Sequence, residues 1–204
     1  MIFYEPGARD ADLLPYEPFK ALIAPRPIGW VSTLSGDAVN LAPYSFFNAV
    51  CDKPPMVMFS SSGMKDSATF AHAAGEFVWN MPTYALREAM NLTSTHLPRG
   101  ASEFAHAGLS IAPSRIVAAP RVAESPVALE CRVTQTFELL DVDGAATNRH
   151  VIIGQVVGVH IDEQFIDDRG QVDTAALAPI ARCGYTDEYA VVNGGSLFRM
   201  ARPD

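Results

Sequence analysis

Two long strand-like runs in the second half of the chain, joined by a turn, restrict the fold more than any other feature. Residues 126 to 140, Pro-Val-Ala-Leu-Glu-Cys-Arg-Val-Thr-Gln-Thr-Phe-Glu-Leu-Leu, alternate with the two-residue period that sends successive side chains to opposite faces of a strand. Asp143-Gly144 supplies a turn dipeptide, and His150 to Asp162 is a second strand-forming run. The two are expected to pair antiparallel.

Further strands are read upstream. Ile28 to Leu34 is rich in β-branched and aromatic residues and is followed by the turn set Ser35-Gly36-Asp37. Val39-Asn40-Leu41 comes next, and because Pro43 cannot donate to a central ladder, this segment belongs at a sheet edge or in a loop. Met56 to Ser60 reads as a buried strand, Glu76 to Asn80 as another, and Ser196 to Met200 as a terminal one. Helices are expected where Asp66-Ser67 gives an acidic cap and Gly75 a stop, and at Tyr84 to Thr95 and Glu103 to Ala107. Thr174 to Ile180 is weakly helical, after a turn at residues 167 to 170. Helices inserted among the strands, and not alternating with them, argue for a mainly β antiparallel barrel or sandwich and against a doubly wound sheet.

At 204 residues the chain suits one core, and a single domain over residues 1–204 is expected. A net charge of −8 with no basic block argues against nucleic-acid binding, although a local basic pocket for a phosphate is compatible with it. The longest apolar stretch, Val151 to Ile161, is broken by Gly154, Gln155, Gly158 and His160 and falls short of the roughly 20 residues a membrane helix needs. The first ten residues lack the basic and apolar pattern of a secretory signal, so a cytoplasmic protein is expected. Cys51, Cys131 and Cys183 have no Cys-x-x-Cys pairing and read as buried thiols, and the five histidines show no metal-ligand spacing, so no metal is expected. His150 and His160 would share a face of an unbroken strand, where a solvent-edge or hydrogen-bonded histidine is the better reading.

The segment 60–67 carries the clearest chemistry. Ser61, Ser62, Lys65 and Ser67 surround the start of a helix, where unpaired amides and a partial positive charge favour phosphate, and Gly63 lets the backbone approach closely. The plain alternative is a strand end followed by an ordinary capped helix, since neither a Gly-x-Gly-x-x-Gly nor a Gly-Lys-Ser/Thr motif is present. Trp30, Ser32 and Thr33, with Tyr44, Phe46 and Phe47, offer a ring-packing wall and donors, although aromatics in a strand-rich chain are usually core. Amides around Ser45 to Asn48 would suit the negative charge that develops at the pyrimidine edge of a reduced flavin ring. No Gly-x-Ser-x-Gly elbow marks a hydrolase.

Taken in order, Arg26-Pro-Ile-Gly-Trp-Val-Ser-Thr33, Asn40-Leu-Ala-Pro-Tyr-Ser-Phe-Phe47, Pro54-Pro55, Lys65-Asp66-Ser67, Phe77-Val-Trp-Asn80, Gly154-Gln-Val-Val157 and the closing Arg182-Cys-Gly-Tyr185 with Arg199 to Pro203 resemble the flavin reductase-like family, in particular its flavoredoxin-like branch. The resemblance covers most of the chain. It implies an FMN-binding antiparallel split β-barrel of Greek-key type with a few flanking helices, and a homodimer with each FMN near the interface. By position, Ser32, Thr33, Ser61, Ser62, Lys65 and Ser67 would surround the ribityl chain or phosphate. Ala42, Pro43, Ser45, Phe46, Phe47 and Asn48 would line the ring, with Trp30 and Arg182 as further contacts. Ser67 stands where threonine is frequent, and Arg182-Cys-Gly replaces the usual Arg-x-Gly-Gly. The implied activity is NAD(P)H-dependent reduction of FMN, with flavin N5 and no side chain carrying the hydride, and electrons passing to a downstream acceptor such as a partner monooxygenase. The alternatives are an FMN-binding electron carrier without NAD(P)H activity of its own, and a β-barrel interaction protein whose pocket has lost its ligand.

Overall fold

The computed structural model describes residues 1–98 and 101–203. Its strands are β1 (Arg26–Pro27), β2 (Gly29–Ser35), β3 (Ala38–Tyr44), β4 (Phe47–Asp52), β5 (Pro55–Ser62), β6 (Glu76–Asn80), β7 (Ile111–Ala112), β8 (Arg121–Val122), β9 (Val127–Leu140), β10 (Ala146–Ile161), β11 (Ile180–Arg182) and β12 (Tyr189–Val191). The helices are α1 (Phe19–Leu22), α2 (Asp66–Ala74), α3 (Arg87–Leu92), α4 (Glu103–His106) and α5 (Thr174–Leu177). Seven strands form one antiparallel sheet in the order β3-β2-β6-β9-β10-β5-β4, and β1, β11 and β12 make a smaller one. The expected mainly β antiparallel architecture is therefore the observed one. The long hairpin is β9 and β10; His150 and His160 both lie on β10, whose register against β9 shifts near Ile153 and Val156.

Strand β2 is buried on both faces, so even its polar Ser32 and Thr33 are fully buried. Val31 faces a core with Phe59, Phe77, Ile152 and the α2 residues Ala68 and Ala71. Trp30 faces the other way, into a second core with Leu41, Met90, Phe104, Val122 and Ile180. The small alanines let α2 lie close against the sheet, and Gly75, at φ 72°, ends it as anticipated. Its cap position, however, is Lys65, and Asp66 enters as the first helical residue.

Close packing also explains Gly154. A Cβ there would lie 2.5 Å from the Phe77 ring, and that ring is fully buried. Gly154→Ala is expected to cost roughly 1–3 kcal/mol through overpacking; an unchanged urea midpoint would show that the ring moves aside freely.

Three expectations are corrected. Residues 196–200 form no strand, because Leu197, Phe198 and Met200 stay exposed and the last ladder position is taken by β12. Phe47 to Asp52, for which no strand was expected, forms β4, which pairs with β5 through Phe47 opposite Phe59. Helix α3 is shorter than Tyr84 to Thr95, with Leu86 and Thr93 as its flanking caps. Of the cysteines, only Cys131 is buried; Cys51 and Cys183 are partly exposed. Burial, with the negative charge of Glu130 beside it, pushes the Cys131 thiol up to about 12. Among the described residues no helix is long and apolar enough to cross a membrane.

Glu130, on β9, is fully buried. Its carboxylate accepts the backbone N–H groups of Arg115, Ile116 and Val117 at 2.7, 2.6 and 3.0 Å, and contacts His160 Nε2 at 2.5 Å. It thereby fastens the loop before β8 to the hairpin.

Candidate functional site

Strand β3, the start of α2 and the segment after α3 enclose a cleft of about 330 Å³. The alternation of β3 decides which side chains reach it. Asn40 and Ala42 point to the α2 side, while Leu41 joins the core under α3. Pro43 is tolerated in β3 because this is an edge strand of the large sheet.

Helix α2 opens into the cleft with Lys65, Asp66 and Ser67. The Lys65 side chain, at the cap position, makes no capping hydrogen bond among the described residues, and the positive end of this nine-residue helix lies at the cleft. Lys65 is exposed, whereas Ser67 is buried and donates to Asn40 Oδ1 at 3.2 Å. Tyr44 packs on Phe59 with ring centroids 4.9 Å apart, and its phenol meets the hydroxyls of Ser67 and Ser61. Burial pushes that phenol above its ordinary value; the two serines oppose the shift, and the charges of Asp66 and Glu103 reinforce it. On the far wall Glu103 accepts the Leu41 N–H at 3.1 Å, which holds α4 against β3.

The structure thus brings Ala42, Pro43, Lys65 and Ser67 together on one cleft. Ser61 stands behind them, touching Tyr44 and donating to the Gly63 carbonyl at 2.7 Å, and Ser62 is exposed beside it. Thr33 lies opposite Asn40 in the β2–β3 register, fully buried, with no hydrogen-bond partner for its hydroxyl among the described residues. The other positions lie apart from the cleft lining. Trp30 and Ser32 occupy the opposite face of β2: the indole donates to Thr93 Oγ1 at 2.9 Å, and Ser32 donates to the Pro120 carbonyl at 2.5 Å while receiving the Asn80 amide at 3.0 Å. Ser45 and Phe46 form the β3–β4 connection, half-buried and exposed respectively. Phe47 is core, stacked on Trp79 at 5.5 Å, and Asn48 is exposed on β4 with its side chain accepting the Ala49 N–H. Arg182 sits on β11 beside Tyr189, in a different cavity.

Sequence reading missed the third wall, Thr93 to Leu97, and Glu103. The run Thr93-Ser-Thr-His96 after a helix was the available signal, since hydroxyl-rich turns expose donors.

Comparison with known proteins bears on the family and the fold. The chain is 36% identical over 181 residues to an uncharacterized protein of Aquifex aeolicus, covering 86% of this chain and 88% of the other. The structure resembles nitrilotriacetate monooxygenase component B of Bacillus cereus with a TM-score of 0.85 at 28% identity, each chain covered to 98%. A Shewanella frigidimarina structure with a split barrel domain superposes with a TM-score of 0.79 at 20% identity, covering 91% of this chain and 90% of that one, which identifies the fold. The model of the flavin reductase like domain matches residues 22–176, and the chain belongs to that family.

Proposed function

We propose that the protein is a cytoplasmic FMN-dependent oxidoreductase that takes hydride from NAD(P)H and passes electrons to a downstream acceptor. The observation that carries this reading is the α2 N-terminus, which among the described residues receives no capping hydrogen bond from the Lys65 side chain and opens onto the cleft. The donor set fits a phosphate monoester: backbone amides and a full positive charge converge on one small volume.

FMN, when bound, supplies hydride acceptance at its N5 and electron transfer from its reduced ring. The residues of the chain bind and orient. Lys65 and the first-turn amides would hold the phosphate, while buried Ser67, donating to Asn40 and meeting the Tyr44 phenol, braces α2 against β3. Ala42 and Pro43 give a wall on which a planar group can rest, and the segment Thr93 to Leu97 shields the opposite side from water. No side-chain nucleophile is required.

Exposed Phe137, Leu139, Leu140 and Val142 at the tip of the β9–β10 hairpin support a homodimer, since apolar clusters of this kind mark interfaces. The similarity to a protein named as a monooxygenase component supports a monooxygenase as the acceptor.

The test is anaerobic titration of the FMN-loaded protein with NADH and then NADPH, following the flavin absorbance band. Rapid bleaching by either is expected. A yellow protein that bleaches only with dithionite would make it an electron carrier fed by another protein, and a protein that retains no FMN would end the flavin reading.

A further inference from the structure

A second cavity, of about 450 Å³, lies between α3 and the strands β11 and β12, away from the flavin cleft. Its volume is within the range of small-ligand sites. The floor is apolar, formed by Met90, Ile180 and Val191, and two of these, Met90 and Ile180, belong to the rigid core beneath. Two arginines flank it, each stacked on a tyrosine. The Arg87 guanidinium carbon is 4.1 Å from the Tyr84 ring centroid, and that of Arg182 is 4.6 Å from the Tyr189 ring centroid.

Stacking fixes the planes of both guanidinium groups before any ligand arrives, so less freedom is lost on binding. Their internal bonds leave donors over. Arg87 spends Nη1 on the Tyr84 carbonyl at 2.7 Å and sets Nε 3.5 Å from Glu88. Arg182 spends Nη1 on the Tyr189 hydroxyl at 2.5 Å and Nη2 on the Tyr185 and Thr186 carbonyls. Among the described residues, Arg87 Nη2 and Arg182 Nε enter no such bond. Glu88 and Asp187 also border the cavity, so two negative charges balance the two positive ones. That balance disfavours a dianion and suits a single delocalised charge carried on a flat apolar body.

We infer that this cavity binds a small planar aromatic monocarboxylate, with its ring on the Met90, Ile180 and Val191 floor and its carboxylate toward Arg87 and Arg182. The inference does not rest on the flavin assignment. The two sites nonetheless share an element: α3 walls this cavity, and its continuation, Thr93 to Leu97, walls the flavin cleft.

The test is isothermal titration of the FMN-saturated protein with benzoate, benzamide and cyclohexanecarboxylate. Benzoate is expected to bind saturably. Benzamide, which lacks the charge, and cyclohexanecarboxylate, which lacks the planar ring, should each bind about tenfold more weakly. Arg87→Ala should weaken benzoate by about tenfold, with Arg87→Lys recovering only part because the planar fork is lost. Both variants alter an exposed side chain and should retain FMN as the parent does, which separates failure here from failure of the flavin reading. Equal affinity for all three compounds, no saturable binding of benzoate, or binding indifferent to Arg87→Ala would overturn the inference.

Discussion

Glu130→Gln is expected to lower the stability of the protein by about 3 kcal/mol, the scale on which removing one partner of a buried charged network acts. The carboxylate accepts from three backbone amides and the His160 ring at once, and it is fully buried. A glutamine keeps one acceptor oxygen and turns an NH₂ group toward donors, so amides of the 115–117 loop lose their partner where water cannot replace it. Burial alone would push the Glu130 carboxyl up. The His160 contact and the three amides outweigh it and hold the group down at about 2, against an ordinary value of 4.5. A carboxyl whose folded value is depressed contributes stability that is fully present above the unfolded value and is lost as pH falls through the folded one. The stability difference between parent and Glu130→Gln should therefore be constant near neutrality and close between about pH 4.5 and pH 2. Urea denaturation of both proteins across that window measures it; a difference that does not change with pH would place the stabilisation elsewhere.

The second large effect belongs to ligand retention. Lys65→Ala should weaken FMN binding by about 10- to 100-fold, the loss of one charge-assisted hydrogen bond to phosphate. Lys65 is exposed and packs into neither core, so the folding midpoint should stay within about 0.5 kcal/mol of the parent. The affinity of the parent should fall as salt is raised, and that of the variant should fall less. Flavin fluorescence on titration with apoprotein reads the first quantity and urea denaturation the second. Equal losses in both would sink the phosphate assignment.

The strands were legible where one rule dominated. Glu76–Asn80 was read to the residue, and the long hairpin to within a few, because alternation over many residues leaves few other conformations. The edge position of β3 followed from Pro43 alone. What failed were features set by distant partners. Strand β4 was not read from the sequence, and it is its pairing with β5 that defines it. At the site, Lys65 and Ser67 were legible because helix starts have a local signature. The orientation of Trp30 and Ser32 was not, since β2 is buried on both faces and nothing in its composition tells one face from the other. Phe47 joined the core for the same reason, through a stacking partner, Trp79, far along the chain.

The bond between Trp30 and Thr93 gives this protein an optical gauge of its own. The chain has only two tryptophans. Trp79 is locked between the Ile28 carbonyl and the Phe47 ring, whereas the indole of Trp30 is tied to the first residue of the segment that walls the cleft. A change at Thr93 would alter the indole hydrogen bond, and with it the wavelength at which Trp30 emits, while Trp79 serves as the steady reference. The environment of the cleft wall at Thr93 can thus be followed in the unlabelled protein by its own ultraviolet emission.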